Sequence, residues 1–322
     1  MKILVFNAKD SEMEYLKEWA QRNKVQLDYR TYSLKKDNLD EIEGYDSICL
    51  HQSKHLKDEE IYKGLAKYKM NHIATRSIGV DMFDFDLAKK YGIEIYNTAG
   101  YSPSAVAEYS LMLGLMLVRN YKKTMRAMDD RSFAPKLDFL GREIGSMTVG
   151  VIGLGNIGMT AAKKWHGLGA KVIGYNRSPK ESDFVDMRAS IDEIFEEADL
   201  VSLHLPLTEE TYHMVDERRL SLMKKGSYLV NTSRGDLVDT KALIEALESE
   251  HLAGAGLDVL EDELSIFAKR DLTEEEINKH YFGQLEKMDQ AIVTQHIAYF
   301  TDNAVRDMVN ISLDSIYKNL NK

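Results

Sequence analysis

VGVIGLGNIGMTAAKKWHGLGAKVIGYNRS, from Val149 to Ser178, is the stretch that decides the fold. An apolar, strand-like run leads into Gly153, Gly155 and Gly158 at G-x-G-x-x-G spacing, with Asn156 and Ile157 between the last two glycines. A helical run follows, and a second strand-like run, KVIGY, closes a βαβ unit about 20 residues on. The first two glycines let the backbone turn tightly and approach a pyrophosphate, which then sits at the positive end of the helix. The unit ends in Asn176, Arg177 and Ser178, where a dinucleotide site ordinarily offers an acid to the adenosine ribose. A neutral amide, a cation and a hydroxyl suit a 2′-phosphate, so NADP(H) is expected as a coenzyme, and nothing here rejects NAD(H) by charge. The blander alternative is a polar turn in which Asn176 still bonds a ribose and Arg177 points to solvent.

Working outward, strand-like runs alternate with helical patterns along nearly the whole chain. KILVF, DSICL, HIAT and IEIYN come first, then TVGVIG, KVIGY, LVSLHL, SYLVN, GAGLDV and AIVT. Such alternation predicts an α/β protein of parallel sheets with helices on both faces. The 322 residues suffice for two domains. One seam falls where IEIYN gives way to YSPSAVAEYSLMLGLMLV, a helix starting at Ser102-Pro103 that is apolar nearly all round and so expected to lie between domains or subunits. A second falls near Tyr299, because the last helix, TDNAVRDMVNISLDSIYKNL, follows the final strand and can return to the first domain. The polar segment 264–289 reads as an ordered surface excursion.

The net charge of −10 argues against nucleic acid, whose binders gather Lys and Arg on one face. The longest strongly apolar run, LMLGLMLV, is far shorter than the roughly 20 residues of a membrane span. One cysteine, Cys49, excludes an internal disulfide and fits a reducing, cytoplasmic compartment. No metal site is expected.

Four residues point to chemistry. Arg234 follows the strand SYLVN, Asp258 and Glu263 follow GAGLDV, and His296 follows AIVT. Each alone reads best as a surface charge, a cap or a structural histidine. Together they place an arginine, two acids and a histidine at the carboxyl ends of strands, where open α/β sheets bind ligands.

With these motifs in hand, the chain resembles the D-isomer-specific 2-hydroxyacid dehydrogenase family, and within it the D-lactate dehydrogenase branch. The likeness covers nearly the whole length through ATRSIGVDMFD, YSPSAVAEYS, VGVIGLGNIG, LVSLHLPLTEET, VNTSRGDLVDTKALIEAL, GAGLDVLEDE and TQHIAYFTDNAV, in that order. The resemblance implies two Rossmann-like, doubly wound parallel-sheet domains with a cleft between them. Residues 100–299 would be the dinucleotide-binding domain, inserted in a catalytic domain made of 1–99 and 300–322, and the protein would be a homodimer. It further implies that Arg234 binds and polarises a 2-keto acid, that His296 exchanges a proton with the substrate oxygen, and that Glu263 is its acidic partner. The backbone of Ile78 and Gly79, with Tyr101 beside it, would receive the substrate carboxylate. Leu205, Pro206, Thr211 and Thr232 would join the glycine loop around the coenzyme, with Asp258 near the nicotinamide. Gln295 departs from the family pattern, in which many members have proline before the histidine; this leaves the loop less rigid and removes no reacting group.

The chemistry agrees with these roles. Reducing a 2-keto acid such as pyruvate to the D-2-hydroxy acid needs hydride at C2 and a proton for the oxygen, and a histidine beside a carboxylate is a suitable acid. Other readings are a reductase of glyoxylate, hydroxypyruvate or a branched 2-keto acid, or a nucleotide-sensing co-repressor on the same fold. The excursion at 264–289 favours the lactate branch. The intact Arg234, Glu263 and His296 favour an enzyme.

Overall fold

Short apolar runs set the first sheet of the computed structural model, which describes residues 1–52, 55–98, 100–178, 180–267, 269 and 271–321. β1 (Lys2–Val5), β3 (Ser47–Leu50) and β4 (His72–Thr75) are buried almost throughout, as inner strands of a parallel sheet must be. The edges are β2 (Gln26–Tyr29) and β5 (Glu94–Tyr96), giving the order β2-β1-β3-β4-β5 with every pairing parallel. β2 is the strand that pattern reading passes over, because QLDY is polar and largely exposed. Helices α1 (Met13–Asn23), α2 (Glu59–Lys67) and α3 (Phe85–Lys90) connect these strands. The last two start on Asp58 and Asp84, whose carboxylates accept from the N–H groups of Glu60 and Leu87.

The second sheet has seven parallel strands: β6 (Thr148–Ile152), β7 (Lys171–Tyr175), β8 (Asp186–Met187), β9 (Leu200–Leu203), β10 (Ser227–Asn231), β11 (Leu252–Leu257) and β12 (Ala291–Val293). Their order is β12-β11-β10-β9-β6-β7-β8, so the winding reverses between β6 and β9. Helices α4 (Pro103–Val118), α5 (Tyr121–Asp129), α6 (Asn156–Gly167), α7 (Ile191–Glu197), α8 (Glu217–Leu222), α9 (Thr240–Glu248), α10 (Glu274–Asn278) and α11 (Tyr281–Leu285) accompany it. Two apolar cores cover its faces. One gathers Leu113, Leu117, Val149, Val151 and Trp165, the other Ile194, Phe195, Leu243, Leu247 and Leu285.

The all-round apolar α4 packs on α6 and across β10 and β11 of this same sheet, while Met112 and Leu115 remain exposed. Gly114 permits the close crossing, since a Cβ there would lie 2.7 Å from the Trp165 ring. Within the polar excursion, of which residues 268 and 270 lie outside the described residues, Thr273 and Glu276 form a capping box and Leu285 is fully buried in the second core. Helix α12 (Asp302–Leu320) then packs on β3, β4 and β5 of the first sheet and on α1, where Trp19 Nε1 donates to Asp314 at 2.8 Å. The chain thus divides into one unit of Met1–Ser102 with Phe300–Lys322 and another of Pro103–Tyr299. Among the described residues no helix is long and apolar enough to cross a membrane.

The first unit carries a buried ion pair at the carboxyl ends of its strands. Arg76, just past β4, donates from Nε to Glu12 at 2.9 Å, from Nη2 to the carbonyl of Phe6 at 2.9 Å and from Nη1 to that of Cys49 at 3.2 Å. One guanidinium therefore ties the ends of three strands together. Burial alone would raise the Glu12 carboxyl, but Arg76, helped by His51, more than offsets this and holds it at about 2. With the folded value below the unfolded one, the pair's stabilisation is complete above the ordinary carboxylate range and is lost as pH falls from about 4.5 toward about 2. Glu12→Gln should thus cost about 3 kcal/mol at neutral pH, a penalty that shrinks on acidification through that window. Denaturant unfolding in a Trp165→Phe background, read from Trp19, measures it; an equal penalty at pH 7 and pH 3 would show that the carboxylate charge is irrelevant.

Candidate active site

The glycine loop joins β6 to α6. Gly153 has φ +92°, and a Cβ on it would lie 2.3 Å from the carbonyl oxygen of His204. A Cβ on Gly158 would lie 1.8 Å from the oxygen of Gly153, so this glycine sets how closely helix and strand approach. Gly155, the N-cap of α6, is different: it is exposed, with nothing within 4 Å of a Cβ position. Asn156 is exposed beside it and Ile157 half-buried, and a depression of about 450 Å3 opens there, lined by Pro103, Leu154, Gly155, Asn156, Met159, Thr160 and Lys180. Free backbone N–H groups at a helix start facing open space form a cradle for a phosphate group.

Asn176, at the end of β7, uses both ends of its amide. Oδ1 accepts from the N–H of Leu154 at 2.9 Å, and Nδ2 donates to the carbonyl of Ser178 at 2.7 Å. Arg177 is 88% exposed and lies 3.4 Å from Glu210, itself 78% exposed. Beyond β9, Leu205 is half-buried and Pro206 exposed, and the Thr211 hydroxyl donates to the Pro206 carbonyl at 2.8 Å, closing the loop on itself. At the end of β10 the Thr232 hydroxyl is buried with no hydrogen-bond partner among the described residues.

Arg234 follows directly. The buried Asn231 shapes its loop, accepting from the N–H of Ser233 at 3.0 Å and donating to the carbonyl of Arg234 at 2.8 Å. The Arg234 backbone is extended, and its Nη1 donates to the Ser233 carbonyl at 2.7 Å. Gly235 must be glycine because a Cβ would stand 2.0 Å from the backbone of Leu260, in the loop after β11.

That loop and the one after β12 bring the acids to the histidine. His296 Nδ1 is 2.6 Å from Glu263 Oε1; an ionised carboxylate only accepts, so Nδ1 donates and Nε2 is left to exchange a proton. The His296 side chain is 39% exposed, enough to meet a solute, against 18% for Glu263. His296 has φ +56°, a left-handed conformation uncommon for a side-chain-bearing residue. Asp258 holds it there: its carbonyl accepts the His296 N–H at 2.8 Å, and its carboxylate accepts from Thr294 Oγ1 at 2.6 Å, Ile297 N at 3.0 Å and Ala298 N at 2.8 Å. Asp258, set near the nicotinamide by resemblance, is fully buried, and the visible work of its carboxylate is this grip. Burial raises its pKa, opposed by those same hydrogen bonds. Sequence reading singled out Arg234, Glu263 and His296 and passed over Asn231, Gly235 and Thr294, which shape the loops that carry them; the strand-ending Asn and the Arg-Gly pair were the available signals.

The first unit holds the other expected residues. Ser77 Oγ donates to the carbonyl of Gly79 at 2.7 Å and Asn97 Nδ2 to that of Ile78 at 2.9 Å. The carbonyls are thereby occupied, while the N–H groups of Ile78 and Gly79 have no acceptor among the described residues. Tyr101 is buried near the end of this segment. No group of three or more His, Cys, Asp or Glu suited to a metal occurs among the described residues.

Comparison with known proteins follows the same lines. The family described as "D-isomer specific 2-hydroxyacid dehydrogenase, NAD binding domain" matches residues 111–298. A D-2-hydroxyacid dehydrogenase (NAD(+)) of Clostridioides difficile is 39% identical over 322 residues, covering 98% of this chain and 96% of the relative. The crystal structure of D-lactate dehydrogenase with NAD+ from Lactobacillus jensenii superposes with a TM-score of 0.89 at 36% identity, over 100% of this chain and 97% of that one. A structure of D-2-hydroxyisocaproate dehydrogenase gives 0.89 at 33% identity, over 99% and 97%.

Gly155 and Gly158 should separate in a binding experiment. Gly155→Ala meets no atom of the protein, so its melting temperature should stay within about 2 °C of the parent while NADH binding weakens by roughly tenfold or more. Gly158→Ala, which drives a methyl into the backbone, should lower the melting temperature as well. Fluorescence titration with NADH and thermal unfolding read the two quantities; undiminished NADH binding by Gly155→Ala would remove the cradle from the coenzyme site.

Proposed function

The chain belongs to the D-isomer specific 2-hydroxyacid dehydrogenase family, and on that premise we propose that it interconverts pyruvate, or a 2-keto acid of similar size, and the D-2-hydroxy acid. The observation that carries this reading is the 2.6 Å pair of Glu263 and the partly exposed His296 at the carboxyl edge that also bears Arg234 and the glycine loop. The nicotinamide coenzyme, when bound, supplies the hydride chemistry at C2. Gly155, the first turn of α6 and the orphaned Thr232 hydroxyl are the groups we assign to holding it, together with Gly153, Asn156, Ile157, Gly158, Leu205, Pro206 and Thr211.

In this reading the N–H groups of Ile78 and Gly79, with Tyr101 of the same unit, are the groups that the family resemblance assigns to the substrate carboxylate. The Arg234 guanidinium faces the C2 oxygen and opposes the negative charge that develops on it. His296 gives that oxygen a proton from Nε2 during reduction and takes it back during oxidation. Glu263, on Nδ1, fixes the ring's orientation and faces the positive charge of the imidazolium. Reduction therefore requires the protonated ring and oxidation the neutral one. A branched 2-keto acid is the second reading, favoured by the likeness to D-2-hydroxyisocaproate dehydrogenase.

NAD(H) is the coenzyme, and we infer that NADP(H) is accepted beside it, because Asn176 places no carboxylate at the end of β7 and Arg177 offers a cation. Glu210 competes for that cation at 3.4 Å, which limits the gain. We also infer a homodimer. Met112, Leu115, Met125, Met128, Phe133, Leu137 and Leu140 are all exposed over one short span of chain, more apolar surface than a monomer ordinarily leaves uncovered; light scattering at micromolar concentration decides it. The single thiol of Cys49 is buried and suits a cytoplasmic site of action, which cell fractionation would test.

Two kinetic outcomes follow. His296→Ala should lower kcat for pyruvate reduction by roughly 10² to 10⁴ with NADH binding retained, and near-parental turnover would take the histidine out of the mechanism. Arg177→Ala should lower kcat/KM for NADPH by about tenfold and leave NADH within about twofold, so an unchanged ratio would deny Arg177 any part in phosphate recognition.

A further inference from the structure

The loop that carries Glu263 has a second histidine–carboxylate pair. Glu261 Oε1 lies 2.7 Å from His213 Nε2, and its other oxygen accepts the N–H of Thr240 at 2.8 Å, at the start of α9. His213 is held from three sides. Its backbone is left-handed, with φ +47°, its N–H donates to the carbonyl of Asp236 at 2.8 Å, and its ring stacks on Tyr212 at 4.1 Å. Strain of this kind persists only where the surroundings over-determine it, and it gathers at functional sites.

The turn between the two acids leaves little slack. Asp262 is left-handed at φ +50°, the Glu263 N–H donates to the Leu260 carbonyl at 3.3 Å, and Glu263 Oε2 accepts the Leu260 N–H at 3.1 Å. Only Oε1 remains for His296, so its direction follows from where Leu260 and Glu261 stand. Gly235 lets the backbone of Leu260 come within touching distance on one side, and Glu261 anchors the turn to His213 and α9 on the other. The pair is not a solvated surface contact, since the Glu261 side chain is 16% exposed and that of His213 29%. Asp236 is adjacent too: burial raises its pKa first, and the charges of Glu261 and Glu263 raise it further. Glu261 and Glu263 thus share one loop, with Asp236 beside them from the loop after β10, and His213 and His296 partner the two glutamates.

We propose that His213 and Glu261 are a positioning pair for proton transfer: they fix the Leu260–Glu263 turn so that Glu263 meets Nδ1 of His296. Neither touches substrate. The inference rests on His296 being the proton carrier and extends that reading to the residues that aim its partner.

The test compares Glu261→Gln, His213→Phe, which keeps a ring to stack on Tyr212, and their double variant with the parent and with His296→Ala. Pyruvate reduction by NADH is followed across pH, beside thermal unfolding. Each single variant should lose about tenfold in kcat with KM for pyruvate and NADH within about twofold, and the double variant should lose no more than either single one. Because a displaced carboxylate opposes the imidazolium charge less well, the alkaline fall of the reduction rate should move to lower pH by about half a unit or more. Parental kcat and an unmoved alkaline limb in Glu261→Gln, with His296→Ala inactive, would overturn the proposal. A loss of rate accompanied by a lower melting temperature but no movement of that limb would also overturn it, by making the pair a fold-stabilising contact. An active His296→Ala would instead bring down the underlying assignment of the proton carrier, and the inference with it.

Discussion

Asp258 and Asn231, hydrogen-bonded to each other through the backbone at 2.9 Å, are the constraint on which the carboxyl edge of the second sheet depends. They end neighbouring parallel strands, β11 and β10, and each sends a buried side chain forward into a loop. Asn231 fixes the turn that carries Arg234. Asp258 fixes the turn after β12 and holds His296 in a left-handed conformation through four hydrogen bonds to the segment Thr294–Ala298. A buried carboxylate is costly to desolvate, and its raised pKa expresses that cost; accepting two backbone N–H groups and a hydroxyl is what makes the burial tolerable. The backbones of Arg234 and His296 are therefore set by two buried polar side chains at neighbouring strand ends.

A parallel sheet makes this economy available. All its strands run one way, so all their exits lie on one edge, and Arg234 after β10 and His296 after β12 emerge on that edge with β11 between them. The same geometry explains the glycines. Gly158 and Gly235 are sites where one backbone crosses another at a distance no Cβ permits, and in both cases the crossing sets the height of a functional loop. Gly155 has room for a side chain, so packing within the protein does not demand glycine there.

Much of this was legible in the sequence because it was written in local patterns. The inner strands announced themselves as apolar runs, the nucleotide loop as spaced glycines between strand and helix, and Arg234, Glu263 and His296 as polar residues just beyond strand ends. β2 and β8 escaped because an exposed QLDY and a two-residue edge strand carry no apolar signal. Asn231, His213 and Glu261 escaped for a different reason: their partners are distant in sequence or set by turn geometry, and a lone polar residue in a loop looks the same whether it clamps a turn or faces water. The apolar α4 was read as interface on composition, whereas much of that apolar surface meets its own sheet; composition measures how much surface must be covered and is silent about what covers it.

The missing acid at the end of β7 has a physical explanation in the same terms. The position must accept a hydrogen bond from the N–H of Leu154, in the glycine loop, and also donate one to the carbonyl of Ser178, two residues ahead. An aspartate can accept the first and can only repel the second, leaving a carboxylate oxygen against a carbonyl oxygen. Asparagine does both, because its two ends have opposite polarity. The amide thereby braces the start of the glycine loop from the neighbouring strand and turns the chain back over itself before Pro179, which lies outside the described residues. Neutrality at this position follows from the hydrogen bonds that the turn demands, and its effect on coenzyme charge is a consequence of that turn. The sign of the field there is then left to the exposed Arg177 and Glu210, whose side chains water screens and whose 3.4 Å contact is weak. A strand end built this way adds no charge of its own, since its half-buried amide is neutral.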